Sequence, residues 1–287
     1  KRMKKVILVI GGSAGIGEAV AKEIANAYEK DVVIIGRNEE KMKTIAKENC
    51  RIEYIKTDIT NNNEIEELIK QLKNKYIISA IVNSATVQNL SMLNDITDEI
   101  FDESMNVNVK APLKIISKIV EQKILMEKGR ILFISSTSRY NIQKGMGLYS
   151  ISKAASFALT NVMKKEYNNQ YLVSSLYPGT IFGTKTAKGM ADSEIPEILE
   201  LRKKMKEFLH NNKQIRILSP EQSASFINWV LLKTTDEEFS NPVILLKDNI
   251  MNALSNDEWD IRDCKLYEGC PIECGELLRD LSEFLGG

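Results

Sequence analysis

The chain has 287 residues, which is long for one domain but normal for a doubly wound α/β fold with a sizeable core. Its 39 acidic and 39 basic residues balance, so the composition gives no support for nucleic acid or a membrane surface as a partner. The apolar runs are too short for a membrane span and the first residues lead into a strand rather than a signal peptide, so we expect a cytoplasmic protein.

The sequence alternates between strand and helix patterns along its length. Buried, β-branched runs predict strands near 5–10, 31–35, 52–56, 77–82, 130–135, 171–176 and 242–246. Apolar residues at helical spacing predict helices near 16–27, 38–48, 62–73, 97–126, 149–168, 194–210 and 220–233. This order implies an α/β protein with a doubly wound parallel sheet, a Rossmann fold, in a single domain over 1–248 with a C-terminal extension over 249–287.

A glycine-rich turn joins the first strand to the first helix and contains Gly11, Gly15 and Gly17. Glycines let the backbone approach a pyrophosphate closely, and the free N–H groups at a helix start favour negative charge. We therefore expect this turn, with Ser13 and Ile16, to bind a dinucleotide. A sharp bend without a ligand would also need glycines, so the motif alone does not decide.

The same turn also matches the G-x-S-x-G elbow of serine hydrolases, with Ser13 as the nucleophile. In that fold the nucleophile follows several earlier strands, whereas here only ten residues precede the turn. The only histidine, His210, falls on a lysine-rich helix, where a solvated or substrate-facing side chain is favoured over a catalytic base. The dinucleotide interpretation is therefore preferred.

Residues just after the next strands are the other candidates for cofactor binding, because ligands bind beyond the carboxyl ends of parallel strands. After the second strand there is no carboxylate to accept from a ribose, and Arg37 can clamp a 2′-phosphate, so NADP is favoured over NAD. Arg37 can also be a solvated loop residue, and Asp58 can instead cap the following helix. The cofactor candidates at these strand ends are Arg37, Asn38, Asp58, Ile59, Asn83, Ser84 and Ala85.

Two tyrosines, Tyr140 and Tyr149, each precede a lysine by four residues, Lys144 and Lys153. Glycines interrupt any helix after Tyr140, whereas apolar residues at helical spacing continue beyond Tyr149. On a helix this spacing places Tyr149 and Lys153 one above the other. A nearby ammonium lowers the pKa of a phenol towards neutral pH, where it can exchange a proton with a substrate. We therefore predict Tyr149 and Lys153 as the catalytic pair.

With these motifs in this order, the chain resembles the short-chain dehydrogenase/reductase family over roughly residues 5–248. The family's first turn usually begins with threonine, which is replaced here by Ile10, and its Asn-Asn-Ala-Gly becomes Asn83-Ser84-Ala85-Thr86. The family's helix asparagine matches Asn108, and the serine before its tyrosine matches Ser136.

The resemblance implies a hydride transfer between nicotinamide and a carbonyl or alcohol, with Tyr149 as general acid or base. Ser136 would hydrogen-bond the carbonyl oxygen, Lys153 would hold the cofactor ribose and assist Tyr149, and Asn108 would position a water in the proton relay. Each residue also has a structural alternative: Ser136 can satisfy a strand end, Asn108 can bend a helix, and Tyr149 can be a half-buried aromatic.

By the same resemblance, the segment after the sixth strand borders the nicotinamide and then covers the substrate. Its cofactor candidates are Pro178, Gly179, Ile181 and Thr184, the last displaced by one position from the family's threonine. Residues 185–213 are expected to form a mobile, partly apolar lid. A faint resemblance of 201–223 to the sepiapterin and benzil reductase branch leaves a pterin substrate doubtful, and a ketone or diketone with apolar substituents is preferred.

The final residues, 249–287, depart most from the family. Cys264, Cys270 and Cys274 lack a nearby histidine and paired spacing, so we expect packed or free thiols and no metal site. An amphipathic helix over 276–285 suggests a second hypothesis, in which an NADP(H)-binding protein acts mainly in regulation or interaction through this tail. Family resemblance further predicts a homo-oligomer built on the helices at 97–126 and 149–168.

Overall fold

The computed structural model describes residues 3–139, 142–168, 170–178, 181, 184–211, 219–240 and 243–244. Its strands are β1 (Lys4–Ile10), β2 (Val32–Gly36), β3 (Ile52–Lys56), β4 (Tyr76–Asn83), β5 (Leu125–Ile134), β6 (Leu172–Tyr177) and β7 (Val243–Ile244). Its α-helices are α1 (Gly15–Asn26), α2 (Glu39–Glu48), α3 (Asn62–Lys75), α4 (Asp98–Met105), α5 (Ala111–Glu121), α6 (Gly147–Glu166), α7 (Lys185–Asp192), α8 (Pro196–Asn211), α9 (Pro220–Lys233) and α10 (Asp236–Ser240).

The described strands form one parallel sheet in the order β3-β2-β1-β4-β5-β6-β7. The strand order reverses between β1 and β4, which is where ligands bind in sheets of this kind. The predicted doubly wound α/β fold is therefore confirmed.

The strands at the centre of the sheet are buried on both faces, as their continuous apolar runs predict. Along β1, Val6, Leu8 and Ile10 belong to one core with residues of α3 and α5, whereas Ile7 and Val9 belong to a second core with residues of α1 and α9. Alternate side chains of one strand thus hold helices on opposite faces of the sheet.

The predicted helix over 97–126 is wrong in two respects. It is divided into α4, a π-helical segment at Asn106–Lys110, and α5, and it ends at Glu121. Leu125 and Met126 belong instead to β5, whose pairing jumps from Ile78 with Leu125 to Ala80 with Arg130. Apolar residues at the start of β5 continue the helical pattern of α5, so periodicity alone does not show where the helix ends and the strand begins.

The strand predicted near 130–135 begins earlier, at Leu125, and only Val243–Ile244 of the strand predicted near 242–246 is described. The other predicted elements agree with the structure to within a few residues, and the predicted helix over 194–210 corresponds to α8. The helices α7 and α10 lie outside the predicted segments. Within the described residues, no helix is long and apolar enough to cross a bilayer. The predicted extension over 249–287, with Cys264, Cys270 and Cys274, lies outside the described residues, so the domain boundary at 248 stays a prediction.

Candidate active site

The predicted site residues that the structure describes gather at one edge of the sheet. The ends of β1 to β6 bring together the glycine turn, Arg37, Asp58, Asn83, Ser136 and Pro178, because the carboxyl ends of parallel strands share one edge. The start of α6 adds Tyr149 and Lys153.

The glycine turn is pinned to the neighbouring strands. The N–H groups of Gly11 and Gly12 donate to the carbonyl oxygen of Ile35, at 3.0 and 3.2 Å. A Cβ on Gly11 would lie 2.7 Å from the nitrogen of Ala85, and a Cβ on Gly17 would lie 2.3 Å from the oxygen of Gly11. Only glycine allows β1, β4 and α1 to approach one another this closely.

Helix α1 begins beside this turn without a capping side chain. Its N-cap, Ala14, offers no side-chain acceptor to the first N–H groups, and Gly15 has a φ of +58°. The nearest atom to a Cβ on Gly15 would be Cγ2 of Thr184, at 3.7 Å, so Thr184 borders the turn at van der Waals distance. The side chain of Ile16 packs against the core below, which leaves its backbone as the part that can face a ligand.

The Ser13 hydroxyl lies beside the end of β2, where a Cβ on Gly36 would be 3.0 Å from its Oγ. The hydrolase interpretation would need a base near Ser13. The side chain of His210 is outside the described residues, and the described surroundings give that interpretation no support.

At the ends of β2 and β3, Arg37 is exposed and its charge acts on Asp58. Although burial alone would raise the pKa of Asp58, hydrogen bonds from Thr60 and the charge of Arg37 lower it. The carboxylate of Asp58 accepts from the N–H of Thr60 at 2.9 Å and from its hydroxyl at 2.7 Å. The N-cap of α3 is Asn61 rather than Asp58.

The side chains of two further cofactor candidates, Asn38 and Ile59, make contacts within the fold. Oδ1 of Asn38 accepts from the N–H of Lys41 at 3.0 Å and caps α2. The side chain of Ile59 lies in the core, so only its backbone can face an adenine.

The end of β4 presents a buried polar atom. Asn83 is only 4% exposed, and its Oδ1 accepts no hydrogen bond from the residues that the structure describes. The next residue, Ser84, donates its N–H to the oxygen of Ile10 at 2.9 Å, and Ala85 lies against Gly11. A buried acceptor of this kind is costly unless a ligand or water donates to it.

Tyr149 and Lys153 lie one helical turn apart on α6, and both are buried. Nζ of Lys153 lies 5.6 Å from the centre of the Tyr149 ring and donates to the carbonyl oxygen of Ile134 at 3.3 Å. Burial lowers the pKa of Lys153 to about 8. The predicted pairing of these two side chains is present.

The pKa of Tyr149 differs from the value expected from the nearby Lys153 ammonium. Burial raises the pKa of Tyr149 to about 12, the hydroxyls of Ser136 and Thr86 act in the opposite direction, and Tyr177 adds to the rise. The prediction of a phenol pKa brought towards neutral pH by Lys153 is therefore wrong, because loss of hydration outweighs the other contributions.

Ser136 follows β5 and opens a 3-10 turn at Thr137–Arg139. Its hydroxyl donates to Oγ of Ser138 at 3.0 Å and accepts from the N–H of Ser138 at 3.2 Å. The hydroxyl thus stabilises the strand end, and it also acts to lower the pKa of Tyr149 against the effect of burial.

Asn108 lies in the π-helical segment, and its side chain uses all its hydrogen-bonding capacity. Oδ1 accepts from the hydroxyl of Thr86 at 3.2 Å and from the N–H of Val87 at 2.8 Å. Nδ2 donates to the oxygen of Val87 at 2.9 Å and to Oγ of Ser152 at 2.8 Å. An amide has two donors and two acceptor sites, so this side chain has none left for a relay water.

The segment after β6 is described in part. The oxygen of Pro178 accepts from the buried hydroxyl of Ser223 at 3.2 Å, which fixes this turn to the start of α9. Ile181 is half-buried, and Gly179 lies outside the described residues. Thr184 caps α7 by accepting from the N–H of Ala187 at 3.1 Å.

An apolar cluster covers Tyr149 from the side of α8. Ile198 and Leu201 of α8 pack with Met146 and Tyr149, and a Cβ on Gly145 would lie 2.8 Å from Cδ1 of Ile198. Partly buried neighbours of this cluster are Leu90, Met190, Ile195 and Met205. The predicted lid segment therefore contains the helix that lies against Tyr149.

Sequence reasoning did not assign roles to Thr86 and Ser152. Thr86 was visible only as a departure from the family's glycine, and Ser152 only as the residue before Lys153. The hydroxyl of Ser152 donates to the oxygen of Tyr149 at 2.8 Å, so it links Asn108 to the start of α6.

These residues fit a nicotinamide dinucleotide. The uncapped start of α1 and the positive φ of Gly15 suit a pyrophosphate, Arg37 suits a phosphate, and the buried oxygen of Asn83 needs a donor. In the part of the chain that the structure describes, no group of three or more histidine, cysteine, aspartate or glutamate side chains is placed to hold a metal.

Comparison with known proteins agrees with this geometry. A family model described as short chain dehydrogenase matches residues 5–194. An uncharacterized oxidoreductase from Staphylococcus saprophyticus is 32% identical over 184 residues, which cover 62% of this chain and 78% of that protein.

Solved structures share the fold. A dehydrogenase/reductase from Sinorhizobium meliloti 1021 is 26% identical with a TM-score of 0.66, over 80% of this chain and 89% of that one. A variant of actinorhodin polyketide ketoreductase with NADPH is 19% identical with a TM-score of 0.71, over 88% of this chain and 98% of that one, and supports the fold alone. The sheet order, the glycine turn, the Tyr149–Lys153 pair and the family match together identify the chain as an oxidoreductase of the short-chain dehydrogenase/reductase family.

Proposed function

We propose that this protein is an NADP(H)-dependent carbonyl reductase in which Tyr149 exchanges a proton with the substrate oxygen. The observation that carries the proposal is the burial of Tyr149 and Lys153 together, with Nζ of Lys153 5.6 Å from the ring centre of Tyr149, at the sheet edge that bears the glycine turn and Ser136. Family members transfer hydride by such a constellation, and buried titratable groups in a cleft favour a catalytic site.

A nicotinamide dinucleotide held by the glycine turn and Lys153 would supply the hydride in reduction and accept it in oxidation. Tyr149 donates its phenolic proton to the carbonyl oxygen, and Ser136 hydrogen-bonds that same oxygen. Lys153 would hold the cofactor ribose, as in the family, and, when protonated, stabilises the phenolate that remains. The reverse reaction uses the same groups with the proton moving from alcohol to Tyr149.

Asn108 acts in this proposal by positioning rather than by holding a water with its amide. Its side chain ties the loop after β4 to α6 through Val87 and Ser152. A relay water at this residue would have to use a backbone group instead.

Two features support NADP over NAD. Gly36 has no side chain to accept from a ribose, and a Cβ there would press on Oγ of Ser13, whereas Arg37 is exposed beside the site. Asp58 is nearby, but its carboxylate is held by Thr60. Arg37 is therefore the group that would meet a 2′-phosphate.

The substrate is proposed to be a small ketone or diketone with apolar substituents. The apolar cluster of Met146, Ile198 and Leu201 around Tyr149 supports this class, since it offers few polar partners. In the proposed arrangement, residues 185–213 close over the substrate.

A homo-oligomer is also proposed on the predicted helices. Apolar side chains are exposed along α4, α5 and α6, at Phe101, Leu113, Ile151 and Val162. The cytoplasmic location and the division at residue 248 remain predictions.

The test is oxidation of NADPH and, separately, of NADH by the purified protein across aldehydes, ketones, diketones and pterins. We expect turnover with NADPH on apolar ketones and its loss in Tyr149→Phe, with NADPH affinity retained. Tight NADPH binding without turnover of any carbonyl would reject the reductase proposal and favour the role of residues 249–287 in interaction.

A further inference from the structure

The first turn of α6, which carries Tyr149, has a weak start. Its N-cap, Met146, offers no side-chain acceptor to the first N–H groups, and its first residue, Gly147, favours a helix less than other residues do. Among the described residues, a Cβ on Gly147 would meet no neighbouring atom within 4 Å, so no close approach requires glycine there. The turn therefore depends on contacts from elsewhere to hold Tyr149 in place.

One such contact comes from Ser152, whose side chain is fully buried. Its Oγ lies 2.8 Å from Nδ2 of Asn108 and 2.8 Å from the carbonyl oxygen of Tyr149. A serine hydroxyl has one proton to donate and lone pairs to accept, so this single side chain can bind both groups at once. Ser152 thus joins the π-helical segment to the first turn of α6.

Main-chain atoms determine the direction of each of these hydrogen bonds. The N–H of Val87 can only donate, so Oδ1 of Asn108 accepts from it at 2.8 Å. The oxygen of Val87 can only accept, so Nδ2 of Asn108 donates to it at 2.9 Å. The second proton of Nδ2 goes to Oγ of Ser152, and the Ser152 proton goes to the oxygen of Tyr149, which can only accept.

We propose that Ser152 is a positioning residue for Tyr149, which it holds by the main chain against Asn108 and the loop after β4. Because the bond is made to the carbonyl oxygen of Tyr149, it fixes the backbone from which the phenol extends and does not occupy the phenol itself. A displacement of about 1 Å can cost about a hundredfold in rate, so a small tilt of this turn matters. The catalytic consequence rests on the proposed reductase function, whereas the bonds of Ser152 do not.

Other described contacts of Tyr149 act on its side chain. Nζ of Lys153 lies 5.6 Å from the ring centre, and Met146 and Ile198 pack with Tyr149 in one apolar cluster. Apolar contacts have no preferred direction, so they surround the ring without fixing the position of the backbone along the helix axis. The hydrogen bond from Ser152 supplies that directional contact.

The test compares Ser152→Ala, which removes both bonds, with Ser152→Thr, which keeps a hydroxyl. Thr160→Val is the matched control, because Thr160 is another buried hydroxyl of α6 that donates to the preceding turn, at the oxygen of Ser156 and 3.0 Å. Gly147→Ala, alone and combined with Ser152→Ala, strengthens the first turn by a different route, since alanine favours a helix over glycine.

Amide hydrogen exchange in the full chain without cofactor reports on the first turn directly. The N–H of Ser150 donates to the oxygen of Met146 at 2.9 Å, and its exchange shows whether that bond is formed. We expect this exchange to be about tenfold faster in Ser152→Ala. It should return close to the wild-type rate in Ser152→Thr and in the double variant, and Thr160→Val should not change it.

Steady-state kinetics measure the catalytic consequence. We expect kcat per folded enzyme to fall about tenfold in Ser152→Ala, with KM and the Kd for NADPH changed less than about twofold. Ser152→Thr and the double variant should recover most of kcat, whereas Thr160→Val and Gly147→Ala alone should resemble wild type. A general loss of stability would not lower kcat per folded enzyme, so this pattern separates positioning from a purely structural role.

Unchanged exchange at Ser150 in Ser152→Ala would overturn the proposal, as would faster exchange with unchanged kcat. A loss of kcat that neither Ser152→Thr nor Gly147→Ala recovers would also overturn it. A wild-type protein without turnover, whose Ser150 exchange still depends on Ser152, would instead reject the reductase function and support the anchoring of Tyr149. Turnover that depends on Tyr149 but not on Ser152 would reject the positioning role alone.

Discussion

The ammonium of Lys153 lies 5.6 Å from the centre of the Tyr149 ring, and its protein acceptor is the carbonyl oxygen of Ile134 at 3.3 Å. Both side chains are almost fully buried. Burial drives their pKa values in opposite directions, to about 12 for Tyr149 and to about 8 for Lys153. In mildly alkaline solution Tyr149 therefore keeps its proton, whereas Lys153 is close to its pKa and is partly deprotonated.

Lys153→Met should increase stability at neutral pH while abolishing turnover. A lysine whose pKa falls from 10.5 in the unfolded chain to about 8 in the folded protein binds its proton less tightly when folded, which destabilises the fold below pH 8. This cost disappears as pH rises from about 8 to above 10.5. We expect a gain of roughly 1–3 kcal/mol near pH 7 that shrinks by about pH 9, measured by urea unfolding.

The control is Lys165→Met, which removes an exposed lysine from the same helix. It should leave the free energy of unfolding within about 0.5 kcal/mol of wild type at both pH values. A Lys153→Met protein that is less stable than wild type at both would contradict the prediction.

Gly17→Ala should disrupt the glycine turn. The added Cβ would lie 2.3 Å from the backbone oxygen of Gly11, so α1 must shift away from β1. We expect a loss of roughly 1–3 kcal/mol in stability and at least about a tenfold rise in the Kd for NADPH. Thermal unfolding and fluorescence titration with NADPH measure the two effects.

Gly189→Ala is the control for Gly17→Ala, and we expect it to stabilise the protein rather than destabilise it. A Cβ there would meet no atom within 4 Å, and Gly189 lies inside α7, so alanine should stabilise the helix by roughly 0.5–1 kcal/mol. Equal effects of the two substitutions on NADPH binding would argue against the turn as the pyrophosphate site.

Arg37→Gln should weaken NADPH much more than NADH. Loss of the guanidinium removes the proposed partner of the 2′-phosphate, and we expect Kd to rise about tenfold for NADPH and less than about twofold for NADH. Lys47→Gln removes an equal charge from the other end of α2 and should change neither Kd. Parallel losses for both cofactors in Arg37→Gln would place the 2′-phosphate elsewhere.

Ile198→Ala should loosen the cover over Tyr149. Ile198 is fully buried against Met146 and the backbone at Gly145, whereas its neighbour Leu199 is 46% exposed. We expect KM for an apolar ketone to rise about tenfold in Ile198→Ala with a smaller change in kcat, and Leu199→Ala to resemble wild type in steady-state kinetics. A loss confined to kcat would indicate that α8 aligns Tyr149 rather than the substrate.

The sequence predicted the sheet and the location of the site because both depend on local patterns. Continuous apolar runs identify strands buried on two faces, and their carboxyl ends must share an edge, which brings Arg37, Asn83 and Ser136 to one place. The predicted boundary between α5 and β5 was wrong, since Leu125 and Met126 continue the apolar pattern of the helix.

Contacts between distant side chains could not be predicted from these patterns. The bonds from Asn108 to Val87 and Ser152 join three segments, and no periodicity encodes them. The pKa of Tyr149 depends on how completely the site is buried, which the spacing to Lys153 does not reveal. The same limit applied to Thr86, which the sequence marked only as an unusual residue.

The amide of Asn108 binds the loop after β4 through main-chain atoms, since it hydrogen-bonds both the N–H and the oxygen of Val87. Such recognition is indifferent to which side chain stands at that position. Non-proline substitutions at Val87 should therefore leave both hydrogen bonds in place, so the link from this loop through Asn108 to α6 does not depend on the identity of that side chain.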